Sequence, residues 1–141
     1  MKTNELMRAD WVNVTGAGPA QVAMIDRFHV VTTLARYLVD ERKLEPIEIT
    51  HEILEANGFY KVSKDESENI VKPDVWIYEK EDNVIVIGLK GGDFSSFEIY
   101  NDRRYAAFTD RLYVSELQHA MRMMGMHELA DNFVIEKGGK Q

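Results

Sequence analysis

The chain has no cysteine, only three prolines and no long hydrophobic run. Without cysteine there are no disulfides, no thiolate zinc sites and no cysteine nucleophile, a composition that suits a reducing cytoplasm. No stretch approaches the roughly 18 consecutive apolar residues of a membrane helix. The opening segment MKTNELMRADW lacks the apolar centre of a secretory signal. The expectation is therefore a cytoplasmic protein with no membrane attachment.

An excess of positive charge is also missing. Net charge is −7, and residues 51–111 account for most of it, with eight Lys/Arg against thirteen Asp/Glu. That segment repels phosphate backbones, so nucleic acid is not the favoured partner. The best basic candidate is Arg103-Arg104 with Arg111, flanked by Asp102 and Asp110. What is present is ordinary for a globular chain of one domain: 141 residues, 45% hydrophobic and 29% charged.

Residues 1–49 read as a barrel-like β lobe. Asp10-Trp11-Val12-Asn13-Val14 alternates, with Val12 and Val14 on one face and Trp11 and Asn13 on the other. Thr15-Gly16-Ala17-Gly18-Pro19 supplies a turn, followed by strands at 21–25 and 28–33. Residues 34–43 fit a helical turn or a strand, and Pro46 introduces Ile47-Glu48-Ile49 as an edge strand. Short strands joined by tight turns predict a small SH3-like barrel.

Residues 50–141 read as a helix, a meander and a closing helix. Thr50 caps a two-turn helix over 51–56 that stops at Asn57-Gly58. An extended piece at 59–62 and an acidic loop at 63–72 follow. Strands then come at 75–79, 84–89, 96–100 and 104–108, joined by turns at 81–83 and Gly91-Gly92. A sheet of this kind needs a cover, which the C-terminal helix is expected to provide. The whole is one α+β domain.

The stretch VSELQHAMRMMGMHELADNF, 114–133, concentrates the candidate chemistry. At 100° per residue Leu117, Ala120, Met121 and Met124 form one stripe, while Ser115, His119 and Arg122 point elsewhere. Ser115 with Gln118 reads as a capping box and Gly125 as the stop. Glu116 and His119 have the Glu-x-x-His spacing of di-metal bundles, but such a centre needs a second motif and further carboxylates. His127-Glu128 does not continue into H-E-x-x-H. No metal or cofactor site is expected. His51-Glu52 at a helix start reads as a satisfied surface residue, and His29, within a β-branched run, has no evident acid or nucleophile to make a triad. Neither Thr15-Gly16-Ala17-Gly18 nor Gly88-Leu89-Lys90-Gly91-Gly92 precedes a helix, so both are read as bends and not phosphate loops. Phe97, Tyr100, Tyr105 and Phe108 with Arg103 and Arg104 could stack bases, although such residues more often close a core.

Three segments carry a resemblance: N-E-L-x-x-x-x-W-V from Asn4 to Val12, E-P-I-x-[IL]-T-x-E-I-L-x-x-N-G-F from Glu45 to Phe59, and Y-V-x-E-L-Q-H-A from Tyr113 to Ala120. In these the chain resembles a family of small uncharacterised proteins of phages and mobile elements from gut anaerobes. The resemblance implies no particular activity. Members of that family often carry a histidine where this chain has Ser115, which again implies a capping role there.

The leading expectation is a non-enzymatic binding or adaptor protein with a protein partner, and β edges and an exposed methionine leave room for a homo-oligomer. Trp11, Arg103, Arg104, His119 and Met123 are its candidate interaction surface. Nucleic-acid binding through the barrel or the aromatic sheet is the alternative. A small enzyme, with His119, Glu116 and His29 as its actors, is the third.

Overall fold

Strand pairing in this protein is antiparallel throughout and almost all of it joins neighbours in sequence. The computed structural model describes residues 1–34, 38–62, 74–90, 93–108 and 112–135. The chain divides into two units. The first joins Met1–Glu48 to Tyr113–Ile135, and the second centres on Ile49–Leu112.

The first unit begins with β1 (Trp11–Val14), β2 (Gly18–Asp26), β3 (His29–Thr32), β4 (Val39–Asp40) and β5 (Leu44–Glu45). They form an open sheet in the order β4-β3-β2-β1-β5. The alternation read from the sequence holds: Val12 and Val14 are buried, while Trp11 and Asn13 are half-buried. Val12, Val14, Ala20, Val22, Val30, Val39 and Leu44 make one apolar cluster with Leu6. Each fully buried valine or leucine contributes about 1.5–3 kcal/mol. A register shift between Val22 and Met24 bends β2 against β3. The sheet is antiparallel as expected, but among the described residues neither sheet closes on itself.

Two local expectations are revised here. The edge strand lies before Pro46 at Leu44–Glu45, paired with β1, because proline has no N–H to continue a ladder. Glu48 keeps one isolated bridge, to Tyr113. The ambiguous stretch contains β4 and a 3-10 turn at Glu41–Lys43, where the Asp40 carboxylate accepts from Arg42 N–H; residues 35–37 lie outside the described ones.

The second unit opens with α1 (His51–Ala56), capped as the sequence predicts: Thr50 Oγ1 accepts from Ile53 N–H at 3.2 Å. Gly58, at φ +89°, takes the left-handed stop. Then come β6 (Tyr60–Lys61), β7 (Asp74–Lys80), β8 (Asn83–Lys90), β9 (Asp93–Tyr100) and β10 (Tyr105–Phe108), in the spatial order β10-β9-β8-β7-β6. Register places Trp76, Ile87 and Phe97 in one row and Ile85 and Ile99 in another on the same face, all of them buried. That face meets α1: the His51 ring lies 5.5 Å from Trp76, and Phe59 lies 5.4 Å from Tyr78. The expected acidic loop at 63–72 and the Gly91-Gly92 turn fall outside the described residues.

The chain returns to the first unit with α2 (Val114–Met123) and α3 (His127–Asp131). The sequence assigns the closing helix to the meander as its cover. Instead it belongs to the first unit, where its polar groups bond to the backbone around β1. The expected stripe is correct: Leu117, Ala120, Met121 and Met124 are all buried. The expected cap is not. Tyr113 holds the N-cap position, its N–H donating to Glu116 Oε1 at 3.2 Å, and Ser115 is buried inside the first turn. Gly125, at φ +84°, ends α2 as predicted, with Met126 N–H returning to the Met121 carbonyl.

Candidate functional site

Helix phase alone assigned His119 and Arg122 to solvent. The structure turns both toward Asp10, a carboxylate with no exposed surface that lies 109 residues away from His119 in sequence. His119 Nε2 is 2.5 Å from Asp10 Oδ2, and Arg122 Nη1 donates to Asp10 Oδ1 at 2.6 Å. Met7 N–H donates to Oδ2 at 2.7 Å. Three polar partners thus meet the buried carboxylate, as removing its charge from water requires. Arg122 also reaches Asp131 Oδ1 at 3.2 Å and the Arg8 carbonyl at 3.2 Å.

Gln118, equally buried, extends the network. Its Oε1 accepts from Trp11 N–H at 2.8 Å, and its Nε2 donates to the carbonyls of Ala9 (2.8 Å) and Ala130 (2.9 Å). Gln21 Nε2 donates to the same Ala9 carbonyl at 3.1 Å. Ala9 itself sits at φ +73°, in the left-handed region that costs an L residue roughly 1–2 kcal/mol. The backbone from Met7 to Trp11 is strapped to α2 and α3 by side chains. Sequence inspection missed Asp10, Gln118 and Arg122 because their partners are over a hundred residues distant. The one local hint was a glutamine on the apolar side of an amphipathic helix.

Of the five sequence candidates, Trp11, His119 and Met123 belong to the first unit and Arg103 and Arg104 to the second. Trp11 is half-buried and its indole donates to the Phe133 carbonyl at 2.6 Å. Arg103 and Arg104 are exposed in the β9–β10 turn, where both backbone N–H groups donate to Asn101 Oδ1 at 2.9 Å. His119 is held by Asp10 as above. Met123 is 63% exposed. Beside the arginines, the Tyr100 and Tyr105 rings lie 6.3 Å apart, and the Tyr105 hydroxyl donates to Glu98 at 3.1 Å. That bond to a carboxylate raises the Tyr105 phenol above its usual value. Phe97 is buried in the core, and Arg111 lies outside the described residues.

Of the three residues proposed for catalysis, Glu116 and His119 line one cavity of about 410 Å³ with Met1, Glu5, Pro46, Tyr113 and Ser115. His29 does not line it; its Nε2 stands 3.9 Å from Asp40 on the neighbouring strand. Hydrogen bonds from Arg42 hold the Asp40 carboxyl at about 2, below the usual carboxylate range. Among the described residues no group of three or more His, Asp or Glu side chains is arranged to hold a metal ion, and no helix is long and apolar enough to cross a membrane.

A separate feature had no sequence signal singled out for it. Met24 and Ile25 on β2, Phe28 in the β2–β3 turn, and Leu34 and Leu38 beyond β3 are each between 38% and 63% exposed. These are five of the ten large apolar side chains exposed among the described residues, gathered in fifteen positions.

Comparison with protein-family models, with curated proteins and with solved structures finds no match.

Proposed function

We propose that this chain is a non-enzymatic binding or adaptor protein with a protein partner, acting in the cytoplasm as an accessory factor of a phage or mobile element. The observation that carries the reading is the apolar hairpin of Met24, Ile25, Phe28, Leu34 and Leu38. Exposed apolar side chains scattered singly need no explanation, whereas five within fifteen positions around one hairpin suit a protein contact. The polar groups that suggested chemistry support the same reading from the other side. His119 and Arg122 hold Asp10, and Glu116 holds the start of α2, so their bonds serve the fold. The five-stranded sheet of residues 1–48, bent at its Val22/Met24 bulge, is read as an SH3-like platform presenting that hairpin.

The experiment is site-specific photo-crosslinking from position 28 in host cells, with position 52 on α1 as control. A discrete protein adduct is expected from position 28 and not from 52, lost when Met24 and Ile25 are replaced by serine. An adduct of twice the chain mass would make the partner a second copy. Equal labelling from both positions, or none, would end the reading.

A second reading is favoured by one observation, the Tyr100–Tyr105 ring pair beside exposed Arg103 and Arg104, which could stack and neutralise single-stranded nucleic acid. Glu98, bonded to Tyr105, puts a carboxylate on that platform. Failure to retard single- or double-stranded nucleic acid in a low-salt gel shift removes it.

A further inference from the structure

Of the strands that end the two sheets, β4, β5 and β6 are guarded. Each is two residues long and carries a charge: Asp40, Glu45 and Lys61. Short, charged edges discourage a further strand from pairing. β10 has no such guard. Its residues are Tyr105-Ala106-Ala107-Phe108, without charge, proline or glycine, and its register with β9 runs without a bulge.

Two of these residues turn their backbone outward. Asn101 N–H donates to the Arg104 carbonyl at 3.0 Å, which fixes the phase of the β9–β10 ladder. Inward bonding alternates from there and falls at Ala106 with Ile99, so the N–H and C=O of Tyr105 and Ala107 point away from β9. Among the described residues no strand pairs with that side. The side chains of Tyr105 and Ala107 stand on the exposed face and are unequal in size. Tyr105 is 64% exposed, its ring held by the bond to Glu98 and by the neighbouring Tyr100 ring, whereas Ala107 leaves a gap. A strand with a projecting ring at one outward position and a gap at the other is its own complement.

We propose that β10 pairs antiparallel with β10 of a second copy, about a two-fold axis that passes through Ala106 perpendicular to the sheet. Tyr105 of each copy then exchanges N–H···O=C bonds with Ala107 of the other, and its ring covers that alanine. Exposed face continues into exposed face, and core face into core face. The pairing brings no like charges together. Glu98 of the two copies stands three strand spacings apart, at least about 14 Å and beyond the screening length of about 10 Å in 0.1 M salt. The Arg103-Arg104 turns fall at opposite ends of the seam. Because β6 guards the far edge of the same sheet, the assembly closes as a dimer and does not extend. This contact belongs to the second unit and is independent of the apolar hairpin in the first.

The test uses the full chain in solution. Sedimentation velocity over about 1–200 μM should show monomer passing into dimer and no larger species. Ala107→Pro removes only an outward N–H, at a position where an edge strand accepts proline, so it should weaken dimerisation at least about tenfold. The hairpin variant Met24→Ser, Ile25→Ser should dimerise as the parent does. Since the chain has no cysteine, Ala106→Cys places a single thiol on the axis, where facing Cα atoms lie about 4.5 Å apart, within disulfide reach. Treated with diamide, it should form a covalent dimer faster than Glu52→Cys on α1; if Ala107→Pro unfolds the chain, this pair of cysteine variants decides. A monomer at every concentration, dimerisation undiminished in folded Ala107→Pro or lost in the hairpin variant, or equal crosslinking from positions 106 and 52 would overturn the proposal.

Discussion

Replacing Gln118 by alanine should destabilise the first unit by about 2–4 kcal/mol, a large fraction of a small domain's stability. The magnitude follows from its three bonds. Removing the amide orphans Trp11 N–H, whereas the Ala9 carbonyl keeps its bond from Gln21 and the Ala130 carbonyl keeps backbone bonds at the end of α3. Each buried group left unpaired costs about 1–3 kcal/mol. The vacated volume adds the loss of its packing contacts. Alanine's better helix propensity works in the opposite direction by only a few tenths of a kcal/mol. Urea unfolding followed by fluorescence can isolate the unit, because Trp11 lies in the first and Trp76 in the second. In a Trp76→Phe background the midpoint should fall by about 1–2 M if the urea slope is about 2 kcal/mol per molar. The control is Glu128→Ala on exposed α3, expected within about 0.5 kcal/mol of the parent. A cost below about 1 kcal/mol for Gln118→Ala would mean that the buried amide is not bonded as described.

Asp10→Asn should cost about 3–5 kcal/mol, since it leaves the Arg122 guanidinium without its buried counter-charge and turns an amide toward His119; a chemical-denaturation difference near zero would contradict the network. At Ala9, φ +73° predicts an order of thermal stability of Gly at or above Ala, and Ala above Val, with valine lower by more than about 1 kcal/mol. An order with valine highest would place that residue elsewhere on the Ramachandran map. Because Glu98 raises the Tyr105 phenol, the bond's contribution is complete below the ordinary tyrosine value near 10 and is lost as pH rises through the higher folded value. In Glu98→Ala, Tyr105 should ionise at lower pH in an NMR titration of its ring carbon, and no change would remove the bond.

Local pattern carried most elements. Thr50, Asn57-Gly58 and Gly125 act where their chemistry predicts, because caps and stops depend on the few residues beside them. The meander was legible for the same reason, since β7, β8 and β9 pair with sequence neighbours across short turns. The error at Ser115 came from a rule that is itself local: a hydroxyl three residues before Gln118 fits a capping box, yet Ile47 and Tyr113 place the helix start two residues earlier. The solvated face assigned to His119 and Arg122 failed for a different reason. Phase shows which residues share a side of a helix, but not whether a second surface lies against that side. Asp10, in an exposed-looking run between Ala9 and Trp11, gave no sign of lying there.

The arrangement of the first unit explains why such a polar strap sits where it does. Its two segments are separated by the 64 residues of Ile49–Leu112. Closing a loop of that length costs about 4 kcal/mol of chain entropy. Apolar contacts along Leu117, Ala120, Met121 and Met124 can repay that cost, but they are indifferent to direction: an amphipathic helix displaced by a turn still buries a stripe. Hydrogen bonds are not indifferent. Gln118 matches Trp11 N–H and the Ala9 carbonyl only at one height along β1, and Arg122, one turn on, must meet Asp10 at the same setting. The apolar stripe therefore supplies most of the energy of docking α2, while the buried polar residues between Met7 and Trp11 on one side and Gln118 and Arg122 on the other select a single register. Ala9, at φ +73°, lies within that strap and offers its carbonyl to both Gln118 and Gln21.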